Sequence, residues 1–418
     1  MSTATLHSEK KKMLVPQLRF YGFEEEWKEN ELGNITNWAS GGTPPKDNPL
    51  FWDGDIPWIS ASSMRGIVYS DSELKITNAG LKKGSKLANK GSLLILVRGS
   101  MLFNKIPIGI VSKDVSFNQD VKSIVVDSNY STSEFILNWF TAFEPKILNM
   151  VTGTGIGAGK LDLPDLKALK ISLPKLPEQQ KIASFLNAVD EKIQQLSRKK
   201  ELLEQYKKGV MQQLFTGKLR FKDENGEDYA DWEEKKLGQV AEKRIVKNKD
   251  NKINLVFTNS ALQGIVNQRD FFDKDIANQN NLLGYYIVEK NDFVYNPRIS
   301  TYAPVGPISR NHLETGIMSP LYSVFRFKDG NFDFIEYFFN SSVWHLHMKD
   351  ISNYGARDDR MSFSTSDFYK MPIPFPCMEE QQKIAGFLSS IDNKIEVVNG
   401  ELEKMKGFKK GLLQQMFV

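Results

Sequence analysis

Glu178–Phe215 reads EQQKIASFLNAVDEKIQQLSRKKELLEQYKKGVMQQLF, and Glu380–Phe417 reads EQQKIAGFLSSIDNKIEVVNGELEKMKGFKKGLLQQMF. The two stretches align without a gap at an offset of 202, from Glu178 to Glu380. They share Glu-Gln-Gln-Lys-Ile-Ala, then Phe-Leu, Asp, Lys-Ile, Lys-Lys-Gly and Gln-Gln-x-Phe. An internal repeat therefore organises the chain. It extends upstream: Leu18-Arg19-Phe20 matches Leu219-Arg220-Phe221, and Trp27 with Leu32-Gly33 matches Trp232 with Leu237-Gly238. Ile171–Pro174 and Ile373–Pro376 are similar approaches to the two repeats. The blocks between, roughly 33–170 and 238–372, show little resemblance to each other. Each half thus has a lead-in, a variable block and a repeated segment.

The repeated segments carry a coiled-coil period. Ile182, Val189, Leu196, Leu203 and Val210 recur every seven residues, and Leu186, Ile193 and Leu214 take the second seam position, interrupted by Lys200 and Lys207. In the second copy Ile384, Ile391, Val398, Met405 and Leu412 form one seam. Leu388, Ile395, Leu402 and Met416 form the other, interrupted by Lys409. A sustained 3.5-residue period demands a partner helix. The economical partner is the other copy, and equivalent lead-ins predict an antiparallel pair. About 39 residues at 1.5 Å each predict a rod of about 58 Å. Gly209, Gly386, Gly400, Gly407 and Gly411 weaken isolated helices and add to the need for tertiary support.

The bulk properties bound the class. At 418 residues the chain suits two or three domains, and 40% hydrophobic residues suffice for packed cores. No run of about 18 apolar residues predicts a membrane span. Met1–Lys12 has lysines but no apolar core after them, so no signal peptide is expected. Cys377 is the only cysteine, which excludes an internal disulfide and fits a reducing cytoplasm. A net charge of +4 and a pI near 8.7 are compatible with a phosphate backbone but decide nothing alone.

Each variable block has the texture of a β-rich α/β module. Ser92–Arg98, Val121–Val126, Tyr285–Val288 and Ser323–Phe327 are candidate strands, with turns at Lys90-Gly91 and Lys290-Asn291-Asp292. Phe135–Phe143 and Phe332–Phe339 are candidate helices whose aromatic residues read as core. Polar, positively charged loops lie between. The first block offers Lys46, Ser62, Arg65, Arg98, Asn118 and Gln119 as DNA-binding candidates. The second offers Lys243, Arg244, Asn259, Arg269, Arg298, Arg357 and Arg360. Arg bonds guanine through two donors, and Asn or Gln does the same for adenine; Lys and the remaining Arg position phosphates.

Enzymatic motifs are tempting here and incomplete. The glycine run Gly153–Lys160 places Thr154 and Leu161 where a phosphate loop needs Gly and Ser or Thr. Asn296-Pro297-Arg298-Ile299 departs at two positions from the Asn-Pro-Pro-aromatic motif of DNA methyltransferases. Asp165 with Asp190, Glu191 and Lys192 has a nuclease-like spacing, but Lys192 falls on the long helix, and the second half repeats Asp392 and Lys394 without the Pro-Asp. His7, His312, His345 and His347 form no zinc motif; His345 and His347 fall on different helix faces. No metal and no catalytic residue is expected.

The doubled Glu-Gln-Gln helix start, Leu18–Phe20 with Trp27, and the opening Gly41–Ser60, containing Gly42-Thr43-Pro44 and Ile56-Pro57-Trp58-Ile59, resemble the specificity subunit of type I restriction–modification systems. The resemblance runs over essentially the whole chain, with Pro177–Phe215 and Glu379–Phe417 as further anchors. It implies that each block is a target recognition domain reading one half of a bipartite, asymmetric DNA site. It also implies that the paired helices fix the spacer and dock two methyltransferase subunits that bring S-adenosylmethionine. Restriction subunits using ATP and Mg would join them in phage defence. Half-sites about one DNA turn apart, roughly 34 Å, lie within reach of the rod. One departure is that Thr152–Lys160 has only a loose counterpart at Tyr354-Gly355-Ala356-Arg357.

The expected fold class is α/β (α+β), with two globular target recognition domains separated by two long antiparallel coiled-coil helices in a pseudo-two-fold repeat. The expected division is 1–176 for the N-terminal segment and first domain, 177–217 for the central helix, 218–377 for the second domain and 378–418 for the C-terminal helix. The chain itself is expected to bind no cofactor. Lys181, Lys192, Lys383 and Lys394 are candidates for methyltransferase docking. The alternatives are a catalytic DNA methyltransferase, which the broken motif opposes, and a non-catalytic coiled-coil scaffold or DNA-binding adaptor for another enzyme.

Overall fold

The computed structural model describes residues 14–155, 157–271, 279–352 and 359–418. The chain divides into two compact units, Met1–Leu196 with Glu401–Val418, and Ser197–Gly400. The repeated segments form helices Leu176–Phe215 and Met378–Met416. Each helix crosses the division, so each unit holds the first half of one and the second half of the other.

In the first unit the central strand is Leu93–Leu96, buried at every residue as expected of a strand covered on both faces. It pairs antiparallel with Val121–Val126 and Ile108–Val111; Thr36–Ser40 and Val68–Tyr69 complete a five-stranded sheet. A second sheet orders Lys75–Ile76, Trp52–Ile59, Val115–Phe117 and Lys86–Ala88. Helix Ser133–Ala142 starts at Thr132, whose hydroxyl accepts from the Phe135 N–H, and it buries Phe135, Ile136, Trp139 and Phe140. The lead-in strand Lys28–Glu31 pairs with Lys170–Leu173, which ties the start of the block to its end. The last turns of the second long helix join this core through Leu412, Leu413 and Met416, followed by Phe417 just after its end.

The second unit repeats the plan with other residues. Ala241–Lys243, Ser323–Phe327, Phe293–Tyr295 and Ile308–Arg310 form an antiparallel sheet. Helix Phe332–Asn340, capped by the Asn331 side chain, packs Phe334, Ile335, Phe338 and Phe339 against it. Glu233–Lys236 pairs with Pro372–Phe375 as the lead-in does in the first unit. A hairpin, Phe257–Ser260 with Gly264–Asn267, and a second antiparallel pair, Tyr286–Val288 with Gly316–Met318, extend the block.

All the candidate seam residues are buried or half-buried. The lysines that interrupt the seam are not gaps in it. In the second unit Lys200 donates to Asn399 at 2.8 Å and Lys207 to Asp392 at 2.6 Å, so the helices run antiparallel there. In the first unit Lys409 donates to Asp190 at 2.6 Å, and Leu18 N–H, next to the Arg19 that holds Glu178, reaches the Gln415 carbonyl. The helices are antiparallel in this unit too. Among the described residues no helix is long and apolar enough to cross a membrane.

Candidate nucleic-acid interface

The loops singled out in the first block come together at one end of its sheets, stitched by backbone hydrogen bonds. Gly42 N–H donates to Phe117 O at 3.0 Å, Asn118 N–H to Ile59 O at 2.9 Å, Val97 N–H to Asp120 O at 2.8 Å, and Leu161 N–H to Val97 O at 2.9 Å. Thr43 donates to Gln119 Oε1 at 2.7 Å. The residues Gly41–Lys46, Ser60–Ser63, Arg98–Ser100, Asn118–Gln119 and Gly159–Lys160 thus share one edge. Gly41 and Gly42 are glycines because a Cβ there would sit 2.1 Å from Phe117 O and 2.0 Å from Gly84 O. Lys46, Ser62, Arg98 and Gln119 are exposed on these loops, and Arg65 is exposed two residues beyond Ser63.

The second block gathers a smaller set. Met361 N–H donates to Pro297 O at 2.9 Å and Ile299 N–H to Asp359 O at 3.0 Å, while Asn296 Nδ2 donates to Asn259 O at 2.9 Å. Arg298 is exposed and Arg360 half-buried, bridged to each other through their backbones. Lys243 is exposed at the end of its strand, and Arg269 is exposed on the short helix Gln268–Phe271, away from the Arg298 bridge in sequence. Arg357 and the segment Tyr354–Arg357 lie outside the described residues.

Three candidates have a different role from the one the sequence suggested. Asn118 is buried, and its Oδ1 accepts from the Asp120 and Val121 N–H groups, which shapes the turn. Asn259 is 2% exposed; its amide donates to Val294 O at 2.8 Å and its Oδ1 accepts from Ser309. Neither amide faces solvent, so neither presents its pattern to a base. Arg244 turns inward to Glu289 at 2.9 Å and to Asp292 at 4.0 Å. Asp292 is fully buried there. Burial raises its pKa, and Arg326 at 2.7 Å opposes that rise.

The repeated Glu-Gln-Gln has a structural meaning. Glu178 is buried at the helix start and holds Arg19; Glu380 holds Arg220 in the same manner. A carboxylate in the first turn also suits the positive end of the helix. Gln179 donates to Tyr130 O and Pro174 O and accepts from Ser131; Gln381 donates to Pro376 O and accepts from the Asn331 N–H. Each motif locks its helix to its own block. Lys181 and Lys192 in the first unit, and Lys383 and Lys394 in the second, are exposed on the helices. Lys383 donates to Lys222 O at 2.6 Å.

Lys160 was missed by sequence reasoning. The structure pairs it with Arg98, and the only signal was its place at the end of the glycine run.

Comparison with known proteins agrees with the repeat. The chain is 33% identical over 193 residues to the EcoR124I/EcoR124II specificity subunit of Escherichia coli, spanning 45% of this chain and about half, 47%, of that one. It is 26% identical over 405 residues to the MjaVIII specificity subunit of Methanocaldococcus jannaschii, spanning 93% of this chain and 91% of that one. In fold it is similar to the type I restriction–modification S subunit of M. genitalium, with a TM-score of 0.54 at 15% identity over 97% of this chain and 99% of that one. A chain from a structure on assembly and conformational transition of the type I R-M system gives 0.57 at 16% identity, over 95% and 98%. The family model for the type I restriction modification DNA specificity domain matches twice, over residues 24–205 and 229–406. The chain therefore belongs to the family of type I restriction modification DNA specificity domains, with one such domain in each half.

Proposed function

We propose that this chain selects the DNA target of a type I restriction–modification complex, the first block reading one half of a bipartite, asymmetric site and the second block the other. One observation carries the reading. The two halves share a frame residue for residue, down to Arg19–Glu178 and Arg220–Glu380, yet hold unlike loop clusters on it. A repeated mount for two different readers is what a split target needs. Linking the two readers also raises the effective concentration of the second once the first has bound, and penalises wrong spacings.

In this reading the chain carries no catalytic group. Two modification subunits supply S-adenosylmethionine, and restriction subunits supply ATP and Mg chemistry. Lys46, Ser62, Arg65 and Gln119 are the side chains we assign to the first half-site, and Lys243 and Arg269 to the second. The long helices set the spacer, and their exposed faces bearing Lys181, Lys192, Lys383 and Lys394 dock the modification subunits.

The test is genome-wide methylation mapping in cells carrying a matching modification subunit, with and without this chain. One split motif is expected, and exchanging either block should change only its half. Inserting a few residues into both long helices should lengthen the spacer and leave both halves intact. No new methylation from a folded complex would overturn the reading.

A further inference from the structure

The variable blocks do not align in sequence, yet one feature recurs in both. Arg98 and Lys160 are directly opposite in antiparallel register, and Arg298 and Arg360 are opposite in an antiparallel bridge. The separation along the chain is 62 residues in each case, from Arg98 to Lys160 and from Arg298 to Arg360. The next residue, Leu161 or Met361, donates its N–H to the carbonyl before the arginine, Val97 or Pro297, at 2.9 Å in both. Directly opposed residues project from the same face, so each unit sets two cations side by side.

Such pairing costs stability. The fold offsets part of it with one carboxylate beside each pair, at different chain positions in the two units. Asp162 lies 2.5 Å from Lys160, and Asp359 lies 3.6 Å from Arg298 and 3.8 Å from Arg360. A few residues beyond each arginine an aromatic side chain stands out of its loop, Phe103 at 53% and Tyr302 at 71% exposure. In the first unit the hairpin that delivers Lys160 is packed at Gly159 but open at three glycines nearer its tip. A Cβ at Gly153, Gly155 or Gly157 would meet nothing within 4 Å, and Gly153 does not use a positive φ. Packing within the unit does not require a glycine at 153, whereas close approach by another chain would favour one.

We infer that Arg98 with Lys160 and Arg298 with Arg360 are sequence-independent anchors, each gripping backbone phosphate of the DNA while other loops read bases. The inference rests on the proposed DNA-reading function and assigns these four residues a role within it. The reason is symmetry. An element that is the same in both units cannot encode two different half-sites. The chemistry that both half-sites share is the phosphodiester backbone, and paired cations suit its anionic oxygens. Asp162 and Asp359 hold the cations until phosphate replaces them.

The test uses the full chain co-expressed with its modification subunits, and duplexes with and without the motif found by methylation mapping. Arg98→Gln with Lys160→Gln, or Arg298→Gln with Arg360→Gln, should weaken both duplexes about tenfold. Each double change should lower the slope of log affinity against log salt by about 2, and the methylated motif should stay the same. Asp162→Asn and Asp359→Asn should tighten binding to both duplexes, a gain that misfolding would not produce. The double lysine variant Arg298→Lys with Arg360→Lys should keep the slope. A wild-type complex that prefers neither duplex overturns the proposed function. A specific wild-type complex whose Gln variants keep affinity and slope overturns the anchors alone. So does a Gln variant that changes the methylated motif.

Discussion

Arg19 and Glu178, 159 residues apart in the chain, meet in a two-pronged ion pair, Nε to Oε1 at 2.7 Å and Nη2 to Oε2 at 2.8 Å. The pair joins the lead-in to the first turn of the long helix. Its hydrogen bond to Glu178 is the main reason the Arg19 pKa is raised. Removing the cation leaves a buried carboxylate without its partner. Arg19→Ala should therefore destabilise the first unit by about 3 kcal/mol. The second copy is built with a reserve. Glu380 also accepts from Trp232 Nε1 at 2.8 Å, whereas the Trp27 indole N–H is buried without a partner among the described residues. Arg220→Ala should thus cost less than Arg19→Ala. Urea unfolding of the two variants checks the order; equal losses would show that Trp232 contributes nothing to holding Glu380.

Lys409 with Asp190 and Lys207 with Asp392 are equivalent contacts, one in each unit, at seam positions where apolar residues would pack better. Polar seam residues fix register at a cost in stability. Lys409→Ala should destabilise, because Asp190 is then left half-buried and unpaired. The double change Asp190→Leu with Lys409→Met should recover stability to wild type or above it, by about 1 kcal/mol. The expected loss in the double variant is in register, read as a broader spacing in the methylated motif. A double variant as unstable as the single one would remove the argument.

The frame was legible because its signals are local or repeated. The seven-residue recurrence from Ile182 to Val210 needs no knowledge of distant residues, and the second copy at Ile384–Met416 doubles it. Strands Val121–Val126 and Ser323–Phe327 were readable from β-branched and aromatic runs, and the aromatic residues of Ser133–Ala142 from helical spacing. The reading edge was less legible. Asn118 and Asn259 look like adenine readers because residue type does not reveal whether an amide is buried; their partners Asp120, Val294 and Ser309 decide it. The lysines at 200, 207 and 409 look like flaws until Asn399, Asp392 and Asp190 are placed opposite. Arg98 and Lys160 are neighbours only through strand pairing, in a block whose counterpart does not align with it.

The buried asparagines give a prediction that separates structure from recognition. Asn259→Ala removes the donor to Val294 O and the acceptor for Ser309, so the unit should lose about 2 kcal/mol of stability. The methylated motif should not change. Gln119→Ala, on the exposed edge of the first unit, should leave stability within about 0.5 kcal/mol and alter only the first half of the motif. Thermal unfolding paired with methylation sequencing checks both. A motif altered by Asn259→Ala would return that residue to the reading surface.

Acid should weaken the second unit through His345. Its ring lies edge-on to Trp344, with centroids 4.7 Å apart, and Arg310 and Glu336 line the same cleft. Burial, and secondarily Lys349, lower its pKa below the usual 6.5. The unfolded chain therefore takes up this proton at a higher pH than the folded chain does. The His345 contribution to stability is whole above pH 6.5 and is lost as pH falls through that value toward the folded pKa. Comparing denaturant midpoints at about pH 8 and about pH 5, His345→Gln should lose less stability on acidification than wild type does. The two chains share every other titrating group, so the difference isolates this ring. Identical losses in the two chains would mean that His345 protonates as readily folded as unfolded, and that the cleft does not exclude the charge.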